Sequence, residues 1–290
     1  WQWQWQTTTR KRKLMPESRL APILCDLDGV VWLSHEPIAG SVEAIAALRS
    51  AGHRVLFVTN NSYAKVAQQE EVLNSIGIPA VGDVLTSSGA AATLLKPGQR
   101  VLIAGGPGVV EAVENVGAIV AGRTDDDSSP EAQAESDSEI DAVIVGFHRT
   151  FDFESMRRAS AAVRAGAKLI GTNDDATYPT SNGVIPGGGS ILAAIATASG
   201  VAPTIAGKPF APMGELVRRA LNTRDLSGCW MVGDRYSTDG AFAKTIGAKF
   251  ALASSGVIDR AGANTLQSEY KFELVVEDLV DLAKHLGIAV

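Results

Sequence analysis

The chain has few cysteines, no long apolar run and no excess of positive charge. Its two cysteines, Cys25 and Cys229, lie far apart, and neither belongs to a CxxC or Cys/His pattern that would indicate a zinc site. Each stands beside an apolar, strand-like run, so we expect buried, reduced thiols and a cytoplasmic protein. Charge or glycine breaks every apolar run well before the roughly 20 residues needed to cross a bilayer. We therefore expect no membrane partner.

The balance of charge limits the class of partner further. The formal net charge is −6 at pH 7, which argues against nucleic acid as the main partner. An anionic substrate would then need a local cation to hold it. The chain has 290 residues, of which 46% are hydrophobic. Because this is long for one compact α/β unit, we expect two domains.

The first 19 residues differ in composition from the rest. The stretch "WQWQWQTTTRKRK" alternates Trp with Gln and ends in four basic residues. It lacks the apolar region of a signal peptide. The basic run could bind nucleic acid, but a solvated tail is the simpler interpretation. We expect residues 1–19 to form a flexible arm.

Short strand-like runs alternate with amphipathic helical patterns along most of the chain, which indicates parallel βαβ units. The predicted strands are Pro22–Cys25, Arg54–Val58, Val101–Ala104, Ala142–Val145, Lys168–Ile170, Cys229–Val232 and Lys249–Ala253. The predicted helices are Ser41–Ala51, Tyr63–Ile76, Gly108–Val116, Phe153–Ala165, Gly189–Ser199, Pro212–Leu221 and Ser237–Ile246. The acidic segment 122–141 interrupts this rhythm and is most simply a solvated loop. A cation site at Asp125, Asp126 and Asp127 is the alternative.

Polar residues follow the predicted strands at the points where the strands end. "DLDG" (26–29), "TNNS" (59–62) and "GDR" (233–235) occupy such positions, and function gathers beyond the carboxyl ends of an open parallel sheet. Taken singly, each is explained by helix caps or turns. Together, three carboxylates and a lysine would build a cation site facing an anion site, and Mg²⁺ prefers such oxygen ligands. Asp26 could then stay ionised as a nucleophile while Asp28 holds a proton.

These residues carry a family resemblance. "DLDGVVW", "VTNNS", "GKP" and "VGDRYSTDG" resemble the four ordered motifs of the haloacid dehalogenase (HAD) superfamily of phosphatases, and the sequence around them resembles its NagD-like branch. The branch includes phosphatases of 4-nitrophenyl phosphate, phosphoglycolate, glycerol phosphate and pyridoxal phosphate. The resemblance implies a Rossmann-like core at 20–85 and 204–290, with an inserted α/β cap domain at 86–203.

The resemblance also implies a role for each motif residue. Asp26 would attack phosphorus and become an aspartyl phosphate, and Asp28 would act as acid and then base. The Asp26 carboxylate, the Asp28 carbonyl and Asp234 would bind Mg²⁺, with support from Asp239. The residues that would hold the phosphoryl oxygens are Thr59, the amides of Asn60 and Asn61, and Lys208. Dehalogenases of the superfamily lack an acid at the position of Asp28, so a phosphatase is expected.

Two cap residues are candidates for substrate selection. Tyr178 falls where a relative specific for pyridoxal phosphate has a histidine, and His148 stands where relatives often carry Asp. A lone histidine is otherwise a structural residue. The glycine-rich stretch at 101–113 has the layout of a nucleotide loop, but it does not complete GxGxxG.

The leading hypothesis is a cytoplasmic, Mg²⁺-dependent hydrolase of a small phosphate monoester. The class includes glycerol phosphate, phosphoglycolate, nucleoside monophosphates and 4-nitrophenyl phosphate. A phosphotransferase or mutase, and a catalytically silent phosphate-binding protein, are the alternatives. Pairing of two copies through the cap is also expected.

Overall fold

The computed structural model describes residues 20–126, 139–180 and 183–290. The N-terminal arm, expected to be flexible, lies outside these ranges. The described residues form two parallel β-sheets with helices packed against them, which confirms the α/β fold class. Among the described helices, none is long and apolar enough to cross a membrane.

The elements follow one another in a βα rhythm with small hairpins between them. In chain order the strands are β1 (Ile23–Cys25), β2 (Trp32–Leu33), β3 (Glu36–Pro37), β4 (Val55–Thr59), β5 (Val84–Thr86), β6 (Arg100–Ala104), β7 (Ile119–Arg123), β8 (Ala142–Val145), β9 (Lys168–Gly171), β10 (Thr177–Thr180), β11 (Gly183–Pro186), β12 (Thr204–Ile205), β13 (Trp230–Gly233), β14 (Lys249–Ala253) and β15 (Leu274–Val276). The helices are α1 (Ser41–Ala51), α2 (Val66–Ser75), α3 (Ser87–Ala92), α4 (Pro107–Asn115), α5 (Phe153–Arg164), α6 (Gly188–Ser199), α7 (Ala211–Leu221), α8 (Ala241–Ile246), α9 (Arg260–Tyr270) and α10 (Leu279–His285).

The first sheet has six parallel strands in the order β15-β14-β13-β1-β4-β5. Successive residues of β1 enter different apolar clusters: Ile23 and Cys25 pack on one face and Leu24 on the other. Burial on both faces explains why these strands are continuous apolar runs rather than alternating ones. Because β13 and β4 flank β1, the carboxyl ends of these three strands meet at one edge of the sheet.

The second sheet is also parallel and has the order β12-β9-β8-β6-β7. The antiparallel hairpin β10-β11 follows β9 along the chain. Helices α5 and α6 contact each other, and their apolar residues share one cluster with β6, β8 and β9. Strand β12 pairs with β9 through Thr204 and Ile205, although the predicted boundary between the domains falls just before residue 204.

A single apolar cluster joins the two sheets. It contains Leu24 and Val58 from the first sheet, Ile103 and Ile144 from the second, and Met213 from α7. Helix α3 contacts both α4 and α7 and so bridges the two parts of the molecule.

The glycines of the stretch 101–113 serve this junction. A Cβ on Gly108 would lie 2.3 Å from the carbonyl oxygen of Ala64, and the Gly108 N–H donates to the Tyr63 carbonyl at 2.8 Å. Close backbone approach therefore explains this glycine without a nucleotide.

All seven predicted strands and all seven predicted helices are present, but two helices begin differently. Helix α2 was expected from Tyr63 and starts at Val66. The side-chain oxygen of Asn61 accepts from the N–H groups of Tyr63 and Ala64, so these residues form a turn. The helix expected from Ser237 opens with a π-helical turn at Tyr236–Gly240.

We expect Leu56→Ala to lower the free energy of unfolding by about 2–5 kcal/mol, because it removes a fully buried side chain from β4 and leaves a cavity. Val81, which is 80% exposed, offers the control: Val81→Ala should change that energy by less than about 0.5 kcal/mol. Urea denaturation of both variants measures the difference. Equal stabilities would contradict the assignment of Leu56 to the core.

Candidate active site

Three neighbouring strands deliver the predicted motif residues to one cavity. Asp26 follows β1, Thr59 ends β4 and Asp234 follows β13. The cavity has a volume of about 710 Å³. It opens at the carboxyl edge of the first sheet, where the strand order reverses around β1, as expected for an open α/β sheet. Predicted residues lining it are Asp26, Asp28, Thr59, Asn60, Asn61, Tyr178, Lys208 and Asp234.

Lys208 lies at the centre of the polar side of this cavity. Its Nζ is 2.8 Å from Oδ1 of Asp26 and 2.6 Å from Oδ1 of Asp239. Only 2% of the Lys208 side chain is exposed, and the Asp239 side chain is fully buried. Buried charges of this kind are tolerated when they are paired. The lysine therefore holds the two carboxylates in place.

The carboxylates form a group that could hold a cation. Oxygen atoms of Asp26, Asp234 and Asp239 all lie within 4.8 Å of one another. Carboxylates are the hard oxygen ligands that Mg²⁺ and Ca²⁺ prefer. The donor set therefore fits a divalent cation, although the Asp239 oxygens also accept from Lys208 and from the Arg235 N–H.

The electrostatics of this group also favour an added positive charge. Burial, followed by the charge of Asp26, raises the pKa of Asp234 to about 6. Burial raises the pKa of Asp239 as well, and Lys208 opposes that shift. Burial disfavours the charge on Lys208, but Asp239 and Asp26 outweigh it, so the pKa of the ammonium is raised. The three carboxylates thus carry more negative charge than the single Lys208 ammonium can neutralise.

Asp28 is placed by a tight turn after β1. The Gly29 N–H donates to the Trp32 carbonyl at 2.8 Å, and the indole Nε1 of Trp32 donates to Oδ1 of Asp28 at 3.1 Å. The Asp28 side chain faces the cavity and keeps an exposed surface. Burial by the surrounding protein, followed by the charge of Asp26, raises its pKa. Trp32 was visible in "DLDGVVW", but its contact with the acid was not predicted.

The loop after β4 uses its two asparagines in different ways. The Asn60 side chain bonds to Lys208 and Asp175. The side-chain oxygen of Asn61 caps the turn at 63–64. The backbone N–H of Asn61 donates to Thr59 Oγ1 at 3.1 Å. Within the described part of the chain, Asn61 Nδ2 has no partner. Phosphate binding by the Asn60 and Asn61 amides stays a prediction, and Asn61 Nδ2 is a donor still available for it.

Three rings, from the loops after β4 and β8 and from strand β10, form an aromatic wall of the cavity. The ring of Phe147 lies 5.8 Å from that of Tyr63 and 5.2 Å from that of Tyr178, measured between centroids. Arg149 lines the same region. Burial, followed by the charge of Asp28, raises the pKa of Tyr178, while Arg149 lowers it. Tyr178 therefore faces the cavity as predicted, whereas Phe147, Tyr63 and Arg149 were missed.

His148 does not reach the cavity formed by the described residues. It is 5% exposed, and its ring nitrogens lie 3.2 Å from Thr124 Oγ1 and 3.4 Å from Thr150 Oγ1. Burial lowers its pKa despite the nearby charge of Asp125. The substrate-specificity role predicted for His148 stays a prediction, and the buried position of the ring would make that role an indirect one. The His148 side chain holds its loop in place, and the residues on either side of it, Phe147 and Arg149, line the cavity.

The acidic segment closes a turn around Arg123. The Asp125 carboxylate pairs with the Arg123 guanidinium at 3.0 Å, and the Asp126 carboxylate accepts from the Arg123 N–H at 2.7 Å. Asp127, the third residue of the alternative cation site, lies outside the described residues, as does the rest of 127–138. The contacts of Asp125 and Asp126 agree with the loop interpretation.

Gly29→Ala should abolish cation binding while the fold survives. Gly29 has φ +83°, and a Cβ there would lie 2.3 Å from Asp234 Oδ2. Gly98→Ala is the matched control, because Gly98 has φ +81° with open space around it. Both should lose about 1 kcal/mol of stability from the strained backbone. The rise in melting temperature on adding MgCl₂ should disappear only in Gly29→Ala; its persistence there would count against the cation site.

Comparisons with known proteins agree with this geometry. Residues 23–119 match the family model of haloacid dehalogenase-like hydrolases, and residues 205–282 match that of HAD-hydrolase-like proteins. D-Glycerol 3-phosphate phosphatase of Mycobacterium tuberculosis is 37% identical over 240 residues, which cover 81% of this chain and 63% of the relative. This chain thus spans less than two thirds of that protein. The 5'-nucleotidase YutF of Bacillus subtilis is 34% identical over 82% of this chain and 88% of its own length.

Solved structures resemble the whole described fold. The p-nitrophenyl phosphatase from Archaeoglobus fulgidus superposes with a TM-score of 0.81 at 28% identity, over 92% of this chain and 99% of that one. Glycerol phosphate phosphatase from M. tuberculosis in complex with magnesium gives 0.77 at 31% identity, over 91% and 76%. It has also been solved with calcium. The predicted family and fold class are confirmed, and the predicted enzyme class, a phosphoric monoester hydrolase, is supported. The chain belongs to the haloacid dehalogenase-like hydrolase family.

Proposed function

We propose that this chain is a Mg²⁺-dependent phosphatase that hydrolyses a small phosphate monoester through an aspartyl-phosphate intermediate. The observation that carries the proposal is the contact of Lys208 with both Asp26 and Asp239, beside Asp234 at the neighbouring strand end. The Asp26 carboxylate as nucleophile, the Lys208 ammonium and a cluster of carboxylate oxygens thus lie together at one cavity. Phosphoryl transfer requires such positioning and charge neutralisation.

The oxygen ligands divide into two groups. The Asp26 and Asp234 carboxylates and the Asp28 backbone carbonyl would hold Mg²⁺, and Asp239 would support them from behind. A divalent cation bound there would offset the charge of the carboxylates and of the phosphoryl group. One related phosphatase, solved both with magnesium and with calcium, supports a divalent cation at this site.

Asp26 acts first, as the nucleophile. Its carboxylate oxygen bonds to phosphorus while the bond from phosphorus to the ester oxygen breaks. Asp28 gives its proton to the departing oxygen. The Trp32 indole keeps the Asp28 carboxyl oriented for this transfer. Lys208 Nζ and Thr59 Oγ1 stabilise charge on the remaining phosphoryl oxygens.

Water completes the reaction. Asp28, now ionised, takes a proton from a water molecule, whose oxygen then bonds to phosphorus. The bond between phosphorus and the Asp26 oxygen breaks, which releases inorganic phosphate and restores both carboxyl groups. The Asn60 N–H and Asn61 Nδ2 hold the phosphoryl group during both steps.

Residues 86–203 act as a cap that limits the leaving group. Their contribution to the cavity is the wall formed by Phe147, Arg149 and Tyr178. Relatives act on glycerol 3-phosphate and on nitrophenyl phosphate, judged by their names, so we propose a small phosphorylated metabolite as substrate. The buried, unpaired cysteines support a cytoplasmic location. Pairing through the cap stays a prediction.

The first test is phosphate release from a panel of monoesters, with and without Mg²⁺. Glycerol phosphate, phosphoglycolate, a nucleoside monophosphate and 4-nitrophenyl phosphate represent the expected class. Asp26→Asn should lower kcat at least about 1,000-fold, because the nucleophile is lost. Asp225→Asn, on an exposed loop, controls for the change of charge. Full turnover in Asp26→Asn would exclude the covalent route.

Replacing Tyr178 tests the proposed cap. Tyr178→Ala should change the ranking of esters by kcat/KM, because the ring lies on the leaving-group side of the cavity. The Mg²⁺ concentration required for half-maximal rate should stay within about twofold, since that residue holds no cation ligand. Tyr178→Phe separates the ring from the hydroxyl. A uniform loss across all esters would count against a selective role.

A further inference from the structure

We infer that Asn60 is a positioning residue that couples the second sheet to the catalytic lysine. Its side chain contacts the backbone of Lys208 and the carboxylate of Asp175, which lies between β9 and β10. The position of the loop that contains Asp175 and the position of Lys208 therefore both depend on the side-chain amide of Asn60. The functional consequence rests on the proposed function, because Lys208 is assigned its role there.

The first half of the coupling fixes the backbone of Lys208. Asn60 Oδ1 accepts from the Lys208 N–H at 2.8 Å, and Asn60 Nδ2 donates to the Lys208 carbonyl at 3.0 Å. The Asn60 side chain thus binds both the backbone N–H and the backbone carbonyl of Lys208. The Lys208 side chain then reaches Asp26 at 2.8 Å. A shift of the Asn60 side chain would displace the ammonium from the nucleophile.

The second half of the coupling reaches the second sheet. Asn60 Nδ2 also donates to Asp175 Oδ2 at 3.0 Å. The Asn173 side chain donates in return to the Asn60 carbonyl at 2.8 Å. Both partners line the cavity on the side of the second sheet. The loop 173–175 is thus hydrogen-bonded to the residue that holds Lys208.

The side chain of Asn60 has no hydrogen left for a substrate. A primary amide carries two N–H donors, and these go to Asp175 and Lys208. Gly207 packs so closely that a Cβ on it would lie 2.6 Å from Asn60 Oδ1. Asn60 Oδ1 already accepts from the Lys208 N–H, and an amide oxygen offers an anionic phosphate no hydrogen. The side chain thus serves contacts within the protein, and the phosphate contact proposed for Asn60 falls to its backbone N–H.

Variants at Asp175 test the coupling without touching Asn60 or Lys208. Asp175→Ala removes the acceptor, whereas Asp175→Asn keeps one in its side-chain carbonyl. Asp174→Asn is the matched control: Asp174 is the adjacent, exposed acid and is not part of the cavity lining formed by the described residues. Asn60→Ala and the double variant Asn60→Ala/Asp175→Ala complete a cycle.

Hydrogen exchange followed by mass spectrometry gives a readout that needs no substrate. Amides at 205–210 should exchange faster in Asp175→Ala, because the loosened Asn60 side chain no longer protects the Lys208 N–H. Asp175→Asn and Asp174→Asn should match the wild type. If exchange at 205–210 stays unchanged in Asp175→Ala, the coupling is overturned.

Kinetics give the second readout. Asp175→Ala should lower kcat about tenfold with KM changed less than about twofold, the factor expected for one hydrogen bond to a charged group. Asp175→Asn should recover the rate to within about twofold. The double variant should be no slower than Asn60→Ala, because both changes break one pathway. Multiplying losses, or a rise in KM alone, would assign Asp175 to substrate binding and overturn the inference.

The two proposals fail separately. Absence of phosphate release by the wild type would remove the proposed function, while the exchange data would still report the contact of Asn60 with both segments. An active wild type whose Asp175→Ala variant keeps normal exchange and normal kcat would leave the phosphatase intact and overturn the coupling alone.

Discussion

The buried ammonium of Lys208 is the constraint on which the rest of the site depends. A lysine with 2% of its side chain exposed must keep an anionic partner, since an unpaired buried charge is strongly destabilising. Asp239, which is fully buried, is one such partner, and Asp26, which lines the cavity, is the other. Its contact with the ammonium orients the Asp26 carboxylate toward the cavity. The same pair of contacts holds the Lys208 ammonium 2.8 Å from the Asp26 carboxylate.

The sheet topology explains why residues so far apart in sequence can share this centre. Strands β13, β1 and β4 are parallel neighbours, so Asp234, Asp26 and Thr59 emerge side by side. The approach is close enough to restrict the backbone: a Cβ on Gly233 would lie 2.2 Å from the Asp239 side chain. Gly233 in "VGD" is therefore required by the packing of the acid cluster. Gly29 is required in the same way by its closeness to Asp234.

The sequence predicted the strands, the order of the motifs and eight of the residues that line the cavity, because these depend on local patterns and on the geometry of parallel sheets. It did not reveal what each polar atom would contact. Asn60 and Asn61 are adjacent and chemically identical, yet one holds Lys208 and the other caps a turn. His148 illustrates the same limit: its buried contact with Thr124 depends on the pairing of β6 with both β7 and β8, which no local pattern encodes.

The stretch 59–64 shows how chemistry and selection become linked in this fold. Thr59 lines the same cavity as Asp26, and the Asn60 side chain bonds to the backbone of Lys208. The Ser62 hydroxyl accepts from the Phe147 N–H at 3.2 Å, and the Tyr63 ring contacts the Phe147 ring. Six consecutive residues thus touch the catalytic groups at one end and the aromatic wall at the other. This short loop therefore connects the polar cluster around Lys208 to the aromatic wall, and a displacement at either end can be transmitted to the other.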